Sequence, residues 1–194
     1  MTRATARTPG RPRSERAEKA IIEATLDLLA AESGVAGVSI EAVAARAGVG
    51  KTTIYRRWPN KEGLIVEALA AVKTPLHDPA GASVRDDLLA IARTMRDERG
   101  RKHARCFWNV VGGAEKHPEL YARYRQVVIE PRRAVIRAVL RRGIERGEVR
   151  ADLDVDVAIS MIVGSLATKT PMEELPDGYA DTVVDTLLRG IATE

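Results

Sequence analysis

Lys51, Thr52, Thr53, Tyr55 and Arg56 lie within six consecutive residues, and each is a cation or a hydroxyl donor. No carboxylate interrupts them, and Arg57 and Lys61 extend the run. Such a surface suits a nucleic acid. Lys, Thr and Tyr donate single hydrogen bonds to phosphate oxygens, and the planar fork of Arg pairs bidentately with the major-groove edge of guanine. Arg56 is therefore the candidate base reader. Catalysis is not expected: the chain has no glycine-rich phosphate loop, nucleophile elbow or paired-carboxylate motif. His77, His103 and His117 are far apart. His103 and Cys106 can share one helix face but lack the further ligands that a metal needs. No metal or cofactor is expected.

The elements around this run fit the same chemistry. Val38-Ser39-Ile40-Glu41 reads as a helix start, with Ser39 as N-cap and Glu41 in the first turn. A short helix Ile40–Ala47 ends at Gly48, and a second one, Lys51–Trp58, is stopped by Pro59. Two short helices across a glycine-containing turn form a helix-turn-helix. Val43, Ala47, Val49 and Ile54 are apolar where the helices must pack, and Ala44 is small where they cross. A longer helix precedes them, from Ser14 as N-cap to a stop at Ser33-Gly34. Ile21, Ile22, Leu28 and Leu29 lie on one of its faces. Asn60 is expected to cap a following helix, Lys61–Val72.

Charge is unevenly spread. Residues 1–61 hold 11 basic and 6 acidic side chains, and residues 62–194 hold 20 and 21. A basic segment joined to a near-neutral one suits a protein of which one part meets a polyanion. Residues 1–13 are expected to form a flexible basic arm. Its Gly10-Arg11-Pro12-Arg13 cluster suits either a narrow minor groove or plain attraction to phosphate. One Cys in 194 residues excludes a disulfide framework. No apolar stretch is long enough to span a membrane, and the first residues lack the apolar core of a secretory signal. A cytoplasmic protein is expected.

The remainder reads as helices over 83–98, 102–114, 117–146 with a kink at Pro131, 154–168 and 178–192, so the fold class is all-α. Met95, Phe107, Trp108, Tyr121, Tyr124 and Met161 concentrate flexible and aromatic apolar surface, with Asn109 and Gln126 as polar neighbours. Such a mixture is a candidate small-molecule site, and its ligand is expected to be largely apolar, because no dense charge cluster is foreseen facing inward. Val155, Ala158, Ile159, Ile162, Val163 and Leu166, together with Val183, Val184, Leu187, Leu188 and Ile191, crowd the last two helices.

Residues 38–64, from Val38 through the turn at Gly48 to Lys61-Glu62-Gly63-Leu64, resemble the N-terminal signature of the TetR family of transcriptional regulators. The preceding run from Ala20 to Ala30 fits as well. The resemblance covers about the first 65–70 residues. It implies an all-helical homodimer, with a helix-turn-helix domain at 14–60 after the arm and a helical effector-binding and dimerisation domain at 61–194. It implies double-stranded DNA with a palindromic operator as partner, and a small-molecule effector that releases a repressor. Tyr55 and Lys61 match the family's phosphate contacts. Lys51, Thr52, Thr53 and Arg56 match groove-facing positions, and Ser39 caps its helix within reach of a phosphate. Trp58 matches a packing aromatic. Arg57 is left between the DNA backbone and an ion pair. The last two helices match those that form a four-helix bundle with a second copy. Gly50 and Arg57 depart from the commonest Ser and His. An architectural DNA-binding protein without effector, or an enzyme domain fused to a helix-turn-helix, is the alternative.

Overall fold

The structure, a computed structural model, describes residues 11–191 apart from 32, 80, 100–103 and 168–174. The arm up to Gly10 and His103 of the His-Cys pair lie outside the described residues. The helices are α1 (Arg11–Ala30), α2 (Ile40–Ala47), α3 (Lys51–Tyr55), α4 (Lys61–Val72), α5 (Val84–Arg99), α6 (Ala104–Gly112), α7 (Pro118–Tyr124), α8 (Glu130–Glu145), α9 (Val155–Ala167) and α10 (Tyr179–Ile191). The fold is all-α.

Most boundaries follow local chemistry. Ser39 Oγ accepts the Ala42 N–H at 3.1 Å and starts α2. Asn60 Oδ1 accepts the Gly63 N–H at 2.8 Å and starts α4. Each cap satisfies a donor that the helix cannot, for about 1 kcal/mol. Gly48 ends α2 at φ 66°, where a Cβ would be strained, and the Val49 N–H closes on the Ala44 carbonyl at 3.0 Å.

Four boundaries differ from the sequence reading. Helix α1 begins at Arg11, three residues before Ser14, because a proline is tolerated in a first helical turn and Pro12 falls there. A 3-10 turn, Gly34–Gly37, follows α1. Helix α3 ends at Tyr55, and Trp58 has left the helix, since the residue before a proline is pushed out of the helical region. The expected break at Pro131 takes the form of a π turn, Arg125–Ile129, between α7 and α8. Pro131 has no N–H for the Val127 carbonyl and its ring crowds that carbonyl. The wider turn relieves both problems and leaves the proline in the first turn of α8.

Two hydrophobic clusters fill the chain. The first joins α1–α4 to one side of α6, α7 and the π turn, through Leu26, Leu29, Ile54, Trp58, Leu64, Ile65, Cys106 and Tyr124. The second joins α5, α8, α9 and α10. Ala158, Ile159, Ile162, Leu166, Val184, Leu187 and Ile191 belong to this second cluster. All seven are buried within their own chain, and Ala158, Ile162, Leu187 and Ile191 also floor a groove between α9 and α10. Arg85 to Asp185 at 2.8 Å, and Arg93 to Asp181, tie α5 to α10 along the surface. The outward face of α9 carries Val157 and Met161, each more than half exposed, beside a groove toward Val183 and Thr186 of α10.

Candidate functional site

Helix α3 hangs on one side chain. Ile54 is fully buried in the first cluster, and its neighbours Lys51, Thr52, Tyr55 and Arg56 are exposed as a consequence. Trp58 seals the end of the helix. It is buried, and its indole N–H donates to Glu67 at 2.8 Å. Thr53 is half-buried. The short helix is thus a peg with one face locked and the other presented to solvent.

The cations around it divide into two groups. Arg46 pairs with Asp27 at 3.1 Å, Lys51 with Glu41 at 2.9 Å, and Arg57 with Glu18. Arg57 also lies 5.6 Å from the centroid of Trp58. The side chains of Tyr55, Arg56 and Lys61 make no hydrogen bond to any described residue, and Arg56 and Lys61 have no ion-pair partner among them. Tyr55 is 51% exposed. Glu41 was not foreseen as a neighbour of the reading surface. Its hydrogen bond with Lys51 holds the carboxyl below the usual carboxylate range and raises the ammonium. Ser39 spends its oxygen on the Ala42 N–H, and its hydroxyl hydrogen remains a donor.

The second candidate site is a cavity of about 150 Å³ where the two clusters meet. Met95, Phe107, Trp108 and Tyr124 line it, with Val128, Ile136, Val163 and Leu166. Phe107 sits edge-on to Trp108 at 5.3 Å and to Tyr124 at 6.4 Å between ring centroids. Four residues that the sequence grouped with these lie elsewhere, and Gln126 among them is exposed on the π turn. Asn109 Nδ2 donates to the Leu29 carbonyl at 2.7 Å, because the last carbonyls of α1 lack partners within their helix. Tyr121 packs on the first cluster beside a polar hollow of Arg125, Arg133 and Arg137. Met161 points outward from α9.

The expectation of an uncharged interior also needs correction. Lys73, Glu98, Arg132 and Arg133 stand in the cavity wall. Glu98 is buried and accepts from Lys73 Nζ at 3.0 Å, from the Thr74 N–H at 3.0 Å and from Arg132 at 3.2 Å. Arg132 also donates to the Thr74 carbonyl at 2.6 Å, and Lys73 Nζ lies 5.5 Å from the Phe107 ring centroid. These residues come from the end of α4, from α5 and from α8, so no local pattern announces them. Among the described residues, no group of three or more His, Cys, Asp and Glu is placed to hold a metal ion, and no helix is long and apolar enough to cross a membrane.

A peg-like helix with its donors clear of the protein, set at one end of an all-helical chain, marks a helix-turn-helix DNA-binding regulator. Comparison with known proteins carries this further. Residues 21–68 match the family described as bacterial regulatory proteins, tetR family, and residues 78–187 match the tetracyclin repressor-like C-terminal domain. The HTH-type transcriptional regulator YdeS of Bacillus subtilis is 34% identical over 127 residues, 64% of this chain and 63% of its own length. The DNA-binding transcriptional repressor TetR of Mycobacteroides abscessus is 30% identical over 121 residues, 61% of this chain and 63% of its own. The chain thus spans less than two thirds of these relatives. The crystal structure of the TetR family regulator SCO0332 is 31% identical, with a TM-score of 0.65 over 92% of this chain and all of that one. The chain belongs to the TetR family of DNA-binding transcriptional regulators, which are not enzymes.

Proposed function

We propose that the protein is a cytoplasmic homodimeric repressor that binds a palindromic operator in double-stranded DNA. A small molecule with an apolar body, held in the cavity, releases it. The observation that carries the reading is the division among the cations near α3. Arg46, Lys51 and Arg57 are already neutralised by the protein, whereas Tyr55, Arg56 and Lys61 keep their donors for another partner. In this reading Tyr55 and Lys61 hold phosphate, Arg56 reads a base, and Ser39, Thr52 and Thr53 stand at the edge of the contact. Lys51 takes part by sharing its ammonium between Glu41 and the DNA. The relative from Mycobacteroides abscessus is named a repressor, which supports that direction of control.

The cavity favours an effector over a purely architectural role, because it opens between the cluster that holds α3 and the cluster that holds α9 and α10. The exposed Val157 and Met161 are the residues proposed to meet a second copy. The test is selection of bound sites from random duplex DNA, followed by analytical ultracentrifugation of wild type and Met161→Glu. The reading expects inverted half-sites about one helical turn apart. It also expects a dimer that Met161→Glu splits into folded monomers with weaker operator binding. Recovery of non-repeated sites by a monomer overturns it.

A further inference from the structure

We propose that the effector is a carboxylate on a small apolar body, and that its head completes the Lys73–Glu98–Arg132 cluster. The proposal rests on the reading of the cavity as an effector site and adds the chemical class of the ligand.

The cluster is already a carboxylate site. Glu98 is gripped there by an ammonium, a guanidinium and the Thr74 backbone N–H, all within 3.2 Å. Two cations share this one carboxylate, so the trio carries a formal charge of +1 in a largely apolar wall. An excess charge in such a place is costly, and a second carboxylate removes the excess. Donors remain for it. Lys73 uses one of its three N–H bonds on Glu98, and Arg132 uses two of its five on Glu98 and the Thr74 carbonyl.

Tyr124 gives an independent sign. The residue is 1% exposed and lines the cavity, yet its hydroxyl has no hydrogen-bond partner among the described residues. Burial raises the pKa of this hydroxyl well above the ordinary phenol range, and the nearby Arg132 counteracts the shift. It is a neutral donor left over beside the cationic pair, suited to a carboxylate oxygen. The remaining wall is aromatic and aliphatic, and an apolar void of about 150 Å³ in another protein holds a benzene ring. One ring or a short chain is the body that fits.

The test uses the full chain at pH 7.5 with 4-phenylbutyrate, 4-phenylbutan-1-ol and 4-phenylbutylamine, which share a body and differ in head, and with octanoate for an alkyl body. Isothermal titration is expected to show the acid binding at least tenfold tighter than the alcohol, with the amine weakest. A preference between the two acids identifies the body. Glu98→Gln keeps an acceptor for Thr74 and removes the competing charge. It is expected to tighten the acid about tenfold and to change the alcohol far less. Arg132→Met and Lys73→Met are expected to bring the acid-to-alcohol ratio close to one. Should either fail to fold by circular dichroism, the Glu98→Gln response decides. Equal affinity for acid and alcohol, both weakened by Trp108→Ala, overturns the head assignment and leaves the cavity as an effector site. An unchanged acid affinity in Glu98→Gln overturns the head assignment as well. Binding of none of the four overturns both readings.

Discussion

Arg56 and Arg132 carry the same guanidinium, and the chain uses them in opposite ways. Arg56 stands on the exposed face of α3 with no described partner, in water that pays most of the cost of its charge. Arg132 sits in a cavity wall, held by Glu98 and the Thr74 carbonyl. The first site is written in one stretch of sequence, because a five-residue helix locked by Ile54 and Trp58 must present what remains. The second is assembled from helices that begin as early as α4 and end as late as α9. A surface site thus tolerates change residue by residue, whereas a seam site depends on the packing of both clusters.

The comparison is most severely tested at Ile54. Ile54→Asp puts an uncompensated charge in the first cluster and is expected to cost about 3–5 kcal/mol. Thermal melting followed by circular dichroism should show the loss, together with abolished DNA binding. Tyr55→Phe, one residue away but exposed, should leave melting unchanged and weaken DNA binding on all sequences alike. Next in size is Arg56→Ala, expected to cost about 1–3 kcal/mol of binding and to relax preference at particular base pairs. Anisotropy titrations at fixed salt on matched and mismatched duplexes would separate that effect from a uniform one.

Ser39→Ala removes the cap of α2 for about 1 kcal/mol of stability, read as a shift of the urea midpoint. The smallest effect concerns Cys106, whose thiol is buried and donates to the Leu26 carbonyl at 3.3 Å. Burial pushes its pKa up to about 12 from 9.0. The folded state therefore keeps the thiol protonated where the unfolded chain already releases its proton. That contribution to stability is complete below pH 9 and is lost as pH rises toward 12. Between pH 7.5 and 9.5 the wild type should lose about 1 kcal/mol more than Cys106→Ala. Equal losses would mean the thiol is less enclosed than the first cluster implies.

The limits of the sequence follow from the same contrast. Ser39, Gly48 and Asn60 announce their caps and turn, because capping is a matter of neighbouring residues. Met161 could not be oriented from the sequence, since α9 is apolar on nearly every side and offers no period that tells core from surface. Asn109 is polar for the sake of α1, eighty residues earlier. Lys73, Glu98 and Arg132 each look like ordinary helix-surface charges until three helices bring them together.

The π turn at Arg125–Ile129 has a rotational consequence. It holds one residue more than an α-helical turn would, and each residue in a helix advances the side chains by about 100°. Val128, Arg132 and Ile136, four residues apart, share the face that looks into the cavity. Deleting one residue from the turn would swing Arg132 and Ile136 about a quarter of a circle off that line while leaving the helix continuous. The extra residue works as a phase setting. It fixes which stripe of an arginine-rich helix faces the seam and which stripe, with Arg137 and Arg141, stays turned to other surfaces.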